Sequence, residues 1–253
     1  MTSRISDTNP IGVDAVQAFD GLILKQIPFK ESSKILHVYT AEGMKSVLVH
    51  GAKKFGSPYL SSSENLNLVK FQATGRDLLT LTDADLIEVY PRIKADLERF
   101  TYAQHLAELL HGFGEAEYDH AKFFAFTLKI LAKFETEADY QVYAFIFELK
   151  FLFLLGVAPA FTACAACGKK DELTFRVRSG GLSCPDHLEG PAVTDAAFRW
   201  MRRLYQIDLK DPVVERPDEA ATVEIRRVID DWYAYHLNFR SKSRSVLSGL
   251  LGY

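Results

Sequence analysis

The feature that most constrains this chain is a change of hydrophobic period at Pro91. Between residues 18 and 90, five segments are rich in β-branched and aromatic residues: "FDGLILKQIPF", "SKILHVYTAEG", "MKSVLVHGAKK", "ENLNLVKFQATG" and "DLLTLTDADLIEVY". Each is bounded by Gly, Pro, Asn or Ser, the residues that close turns. No helical period falls between them. Such a run predicts a small closed or sandwiched β domain.

The spacing of those strands does not separate an oligonucleotide-binding (OB) barrel from an SH3-like barrel. After Pro91 the period shifts to about 3.6. Leu97, Phe100, Ala103, Ala107 and Leu110 recur at helical spacing, as do Phe123, Phe126, Ile130 and Phe134. A third helix, from about Asp139 to Leu155, is apolar nearly all round and is expected at the centre of a helical domain. Helical patterning resumes in "DAAFRWMRRLYQ" and in "DEAATVEIRRVIDDWYAYHLNF", which opens just after Pro217. The expected organisation is an extension over residues 1–17, a β domain over 18–91, and a helical domain over 92–253 with an insertion at about 161–190.

The formal net charge of −3 advertises no polyanion partner, so any nucleic-acid site must be a local basic patch. The N-terminal stretch, broken by Pro10 and Gly12, lacks the apolar core of a signal peptide. "YAFIFELKFLFLLG" is interrupted by Glu148 and Lys150 and is too short to span a bilayer. A cytosolic protein is expected.

All three cysteines fall in "CAACGKKDELTFRVRSGGLSCPDH". Cys164-x2-Cys167 and Cys184-x2-His187 are two knuckles separated by sixteen residues. Each knuckle puts two donors on one tight turn, and the loop between can fold back to complete a tetrahedron. Three thiolates and one imidazole suit zinc. Gly168, Gly180 and Gly181 can supply the positive φ angles such turns need. A catalytic zinc keeps a position open for water. Four ligands close the shell, so one structural zinc per chain is expected. A thioredoxin-like redox role lacks its βαβ surroundings.

No phosphate-binding glycine loop, nucleophile elbow or zinc-protease helix motif occurs, and no catalytic residue is assigned. The carboxylate pairs Glu135/Glu137 and Asp230/Asp231 read as solvated helix ends or faces. His37, His105 and His120 have no neighbour at ligand or catalytic spacing. Basic residues say more. Lys25, Lys30 and Lys34 flank the first strand connection; Lys45, Lys53 and Lys54 follow on the third strand and its loop. His50, Phe55 and Tyr59 nearby could stack on bases. Arg240, Lys242 and Arg244 form a second cluster that could cap a helix end or bind phosphate.

Four motifs in order carry a family resemblance: "LILKQIPFKESSKILHVYTAEG" with Glu31, Thr40 and Gly43, then "VHGAKK", then "FLLGVAPAFTAC" leading into the cysteine segment, and finally "YHLNFRSKSRSVL". From about residue 18 the chain resembles the RecO family of bacterial recombination mediators. The resemblance implies an α+β multidomain fold: a five-stranded OB-fold β-barrel, then an all-helical domain carrying a zinc-binding loop. It implies a non-enzymatic, cytoplasmic, nucleoid-associated protein of DNA repair. Such a protein binds single- and double-stranded DNA, anneals complementary strands, and helps RecR load RecA onto DNA coated by single-stranded-DNA-binding protein. By analogy, DNA contacts fall to Lys34, Lys45, Lys53, Lys54, Arg240, Lys242 and Arg244, and metal ligation to Cys164, Cys167, Cys184 and His187. The family's last ligand is usually cysteine, and His187 takes its place here. The alternative is a protein-interaction adaptor whose barrel and helical surfaces dock partners, with DNA binding secondary.

Overall fold

A computed structural model describes residues 15–210 and 215–251. The predicted extension lies outside the described residues as far as residue 14. The described residues divide into two compact units, one spanning 15–40 and 44–89, the other 41–43, 90–210 and 215–251.

The first unit is a closed five-stranded barrel: β1 (Gln17–Phe29), β2 (Ser33–Thr40), β3 (Gly43–Val49), β4 (Leu68–Thr74) and β5 (Leu78–Glu88). The order around it is β1-β2-β3-β5-β4, with β1 pairing antiparallel to both β2 and β4. The strand β3 runs parallel to β5. That single parallel pairing closes the barrel and makes it an OB-fold. Alternation sends Leu36, Val38, Val47, Val49, Val69 and Phe71 inward to a dry core. A β-bulge between Ile23 and Lys25 helps β1 bend far enough to serve two neighbours. At Gly21 a Cβ would meet Val38 Cγ1 at 2.2 Å, so glycine is needed where β1 crosses the core.

The second unit contains seven helices among the described residues: α1 (Pro91–Ala95), α2 (Leu97–Phe113), α3 (His120–Thr136), α4 (Tyr140–Leu154), α5 (Asp195–Gln206), α6 (Glu219–Leu237) and α7 (Lys242–Leu251). The side chains of Asp96, Asp119, Thr194 and Asp218 accept the first free amides of α2, α3, α5 and α6. The central helix is α4, buried on every side because it carries Val142, Phe145, Ile146, Leu149 and Leu152 around its circumference. None of the described helices is long and apolar enough to cross a membrane.

One residue of α4 breaks its apolar pattern. Glu148 is fully buried, and the fold brings it an arginine and a histidine from two other helices. Arg244 Nη2 of α7 lies 2.5 Å from Glu148 Oε1, and His105 Nε2 of α2 lies 2.7 Å from the same oxygen. Arg244 Nε also reaches Asp230 of α6 at 3.1 Å. The guanidinium further lies over the Tyr102 ring, 5.3 Å from its centroid. Burial alone would raise the Glu148 carboxyl, but Arg244 and His105 outweigh it and hold the group below the ordinary carboxylate range. These contacts clasp four helices through charge.

Candidate metal centre and basic surfaces

Between α4 and α5 the chain forms a small metal-type lobe around the hairpin of β6 (Thr174–Arg176) and β7 (Gly181–Ser183). Its floor is aromatic: Phe175 makes ring contacts with Phe161, Phe198 and Trp232. The first knuckle turns at Gly168, whose φ is +75° and whose N–H donates to Cys164 O at 2.9 Å. Positive φ there is what glycine tolerates and other residues do not. The second knuckle is a 3-10 turn over Pro185–His187, closed by His187 N–H to Cys184 O. Gly181 is held against the Ala160 backbone, where a Cβ would lie 2.4 Å from a main-chain nitrogen.

These turns bring one donor each from Cys164, Cys167, Cys184 and His187 to within 4.8 Å of one another. Cys167 Sγ and Cys184 Sγ are 3.7 Å apart, and His187 Nδ1 is 3.8 Å from Cys164 Sγ and 3.2 Å from Cys184 Sγ. A tetrahedron with metal–sulfur bonds of about 2.3 Å has edges of roughly 3.8 Å, so the donor set fits a metal of zinc's size. The three cysteines are free thiols. Backbone amides of Cys184, Cys167 and Ala166 hydrogen-bond the Cys164 sulfur and lower its pKa to about 6, favouring the ligand form. Lys169 and Asp186, one on each knuckle, pair across the site at 2.8 Å.

The predicted DNA contacts fall into different environments. Lys53 and Lys54 are exposed on the loop after β3. That loop is tied to the β1–β2 turn by Lys53 N–H to Ser32 O at 2.9 Å and by Lys53 Nζ to Lys30 O at 3.0 Å. One end of the barrel therefore gathers Lys30, Lys34, Lys53 and Lys54. Phe55 follows Lys54 and is wholly exposed. Lys45 lies toward the opposite end of β3, with its ammonium 5.1 Å from the Phe19 ring centroid. Tyr59 is half-buried and donates to Thr82 O.

In the helical unit, Arg240 and the Lys242 side chain are exposed. Arg244, two residues further on, is a correction. It is 5% exposed and committed to Glu148 and Asp230, so it cannot reach a DNA backbone. Two other expectations change with it. Asp230 is no free solvated carboxylate but an ion-pair partner of Arg244. His105 does have a carboxylate neighbour, supplied by the fold from a helix 43 residues away.

What sequence spacing missed is a set of arginines drawn from distant segments. Arg178 on the metal hairpin, Arg227 on α6 and Arg240 after α6 line one groove of about 260 Å³. No local pattern links the three.

The model of the Recombination protein O N-terminal domain matches residues 16–90, and that of its C-terminal domain matches residues 94–245. An Exiguobacterium protein named DNA repair protein RecO is 28% identical over 242 residues, covering 93% of this chain and 97% of its own length. Its namesake in Exiguobacterium sibiricum is 27% identical, covering 92% of this chain and 96% of its own. The protein of that name in Bacillus cereus is also 27% identical, with 92% and 97% covered. An OB barrel followed by a helical unit with a three-cysteine, one-histidine cluster, matched by the two domain models over most of its length, makes this chain a member of the RecO (recombination protein O) family.

Proposed function

We propose that the protein is a DNA-repair mediator that binds single- and double-stranded DNA through its barrel and promotes annealing of complementary strands. The observation that carries this reading is the loop after β3. A phenylalanine left fully in water costs free energy unless a partner covers it. Phe55 stands in that position directly after Lys53 and Lys54, the pairing of stacking surface and phosphate charge that sequence-neutral DNA binding uses. Lys34 flanks the same barrel end; Lys45, Arg240 and Lys242 are secondary contacts.

Annealing needs no bond-making group. Cations that neutralise phosphates lower the repulsion between two strands, and a stacking side chain holds bases accessible for pairing. On the family resemblance, the protein acts in the cytoplasm with RecR and single-stranded-DNA-binding protein to assist RecA loading. The test is the annealing rate of two complementary oligonucleotides across a salt series. Acceleration that declines as salt rises is expected; no acceleration at low salt contradicts the reading.

The Cys164–Cys167–Cys184–His187 cluster is proposed to hold one structural zinc. With four protein donors the shell is closed, and the metal fixes the lobe instead of activating water. Elemental analysis of the purified protein should return about one zinc per chain.

A second reading, docking of a protein partner, is favoured by one feature. Lys122, Lys129 and Lys150 ring an open recess of about 470 Å³ whose walls include Phe126, Ile207 and Leu209. Cations around an apolar floor suit an acidic segment with apolar residues. Retained partner binding in the absence of any DNA affinity would make this the primary role.

A further inference from the structure

The turn of the metal hairpin does more than reverse the chain. Gly180 N–H donates to Val177 O at 3.0 Å, closing a four-residue turn with Arg178 and Ser179 at its tip. Hydrogen bonds then fix this turn from several sides: Ser179 Oγ accepts from Glu189 N–H at 2.9 Å, and Gly180 O accepts from Ala160 N–H at 3.0 Å. Ser179 Oγ donates to the backbone carbonyl of His187, one of the four metal-site residues, at 3.0 Å. His236 Nε2 of α6 donates to Val177 O at 2.8 Å. The stem of Arg178 lies along Gly190, where a Cβ would meet its Cδ at 3.0 Å. Arg178 is thus an exposed cation held on a rigid mount.

That mount forms one wall of the 260 Å³ groove. Its floor is Val177, Pro191, Val193 and Ala234, and its rim carries Arg178, Arg227, Arg240 and Tyr235. Arg227 shares Asp231 at 3.4 Å and Glu224 at 3.7 Å. Neither Arg178 nor Arg240 has a carboxylate partner among the described residues. Among the lining residues Asp231 is the one acid against three guanidinium groups, and Glu224 and Glu189 stand just outside, at Arg227 and Tyr235. Tyr235 is 51% exposed, with the Arg178 guanidinium 5.9 Å from its ring centroid and its hydroxyl reaching Glu189 at 3.4 Å. Planar arginine forks suit phosphate oxygens, and an exposed ring beside them suits a base.

We propose that this groove is a second single-stranded-DNA contact. It takes one backbone phosphate among Arg178, Arg227 and Arg240 and a base on Tyr235, and the metal cluster sets it by fixing the Val177–Gly180 turn. This rests on the DNA-binding reading above and deepens it: the metal becomes a positioning device for part of the DNA path.

The test is fluorescence anisotropy of a labelled oligothymidylate, titrated with metal-loaded protein across a salt series. Arg178→Ala/Arg240→Ala should weaken binding about tenfold and flatten the log–log salt slope by about 0.7, the share of one phosphate on a single strand. Tyr235→Ala should weaken it about fivefold or more, as loss of one stacked base does. Ser179→Ala, which cuts the ties to the His187 and Glu189 backbone, should fall between wild type and the double variant with metal content unchanged. Metal-stripped wild type should drop to the double variant's affinity, and stripping the double variant should cost nothing further.

Groove variants that bind like wild type, while Lys53→Glu/Lys54→Glu does not, overturn the groove and leave the DNA reading standing. A wild type that fails to bind at low salt removes both. Loss of polyglutamate binding in the groove variants, with oligothymidylate binding intact, overturns the proposal in favour of an acidic protein partner. An unchanged Ser179→Ala together with additive loss on metal stripping overturns the coupling to the metal.

Discussion

Lys53 of the barrel and Arg244 of the helical unit were alike in sequence, each a cation in a short basic run, yet their surroundings are opposite. Lys53 stands in water on a loop, next to Lys54 and the fully exposed Phe55, and its ammonium donates to a backbone carbonyl. Arg244 is buried against Glu148 and Asp230, with Tyr102 against its guanidinium. Solvated charge is available to a partner. Buried, paired charge is spent on the fold, since removing either member strands the other in a low-dielectric interior. On the proposed function the two regions divide the work accordingly: cations on the barrel loop serve binding, and the buried Arg244 serves architecture.

The comparison breaks most visibly at Arg244. Arg244→Ala should destabilise the helical unit by about 3–5 kcal/mol, the cost of leaving Glu148 buried and unpaired. Urea unfolding followed by tryptophan fluorescence reads this, because Trp232 is buried on α6, the helix that carries Asp230. Oligonucleotide affinity per folded molecule should stay at the wild-type value. Replacing both members with apolar residues, Glu148→Leu with Arg244→Met, should recover much of the stability, which a DNA-contact role for Arg244 gives no reason to expect.

Phe55→Ala is the opposite case. Binding should weaken by about 1–3 kcal/mol, the worth of one stacked base, with the unfolding midpoint unmoved. Isothermal titration with single-stranded DNA, set beside a thermal melt, separates the two quantities. Phe55→Trp should keep the affinity.

A smaller effect belongs to Glu108. Its carboxylate accepts Ser241 Oγ at 2.6 Å, Lys242 N–H at 2.8 Å, and Ser243 through both N–H and Oγ, so it caps α7 from a neighbouring helix. Glu108→Ala should cost about 1 kcal/mol, the usual worth of a helix cap, and amide exchange should speed up first in α7.

Acid sharpens the same point. The Glu148 carboxyl is held low by Arg244 and His105 against the pull of burial, and that of Glu108 by the Ser241 and Ser243 hydrogen bonds against the same pull. A depressed carboxyl contributes stability in full above its ordinary pKa and loses it as pH falls through the lower folded value. Asp230, raised mainly by burial, has the opposite sign. Unfolding midpoints should therefore fall as pH drops below the ordinary glutamate pKa toward the lower folded values, and by less in Glu148→Gln than in wild type.

How far the fold was legible follows from the range of its interactions. The five strands showed in sequence because alternation and turn residues are local. Their closure did not, since the parallel β3–β5 pairing joins segments about thirty residues apart; family resemblance, not periodicity, supplied the OB-fold. The ligand cluster was readable because each knuckle needs two donors at a fixed short spacing. The short strands β6 and β7 gave too few residues to show a period. Glu148 read as a blemish in an apolar helix because its partners lie 43 and 96 residues away. For the same reason Arg244 was grouped with Arg240 and Lys242: adjacency in sequence says nothing of which way the first turn of α7 points.

The most direct test of this division of labour is the salt dependence of single-stranded-DNA affinity in Lys53→Glu/Lys54→Glu, measured with its urea midpoint. A log–log slope shallower than wild type by at least about 1.4, the share of two phosphates, with an unchanged midpoint, is the expected result. A slope and affinity equal to wild type would contradict the assignment of DNA binding to the barrel loop.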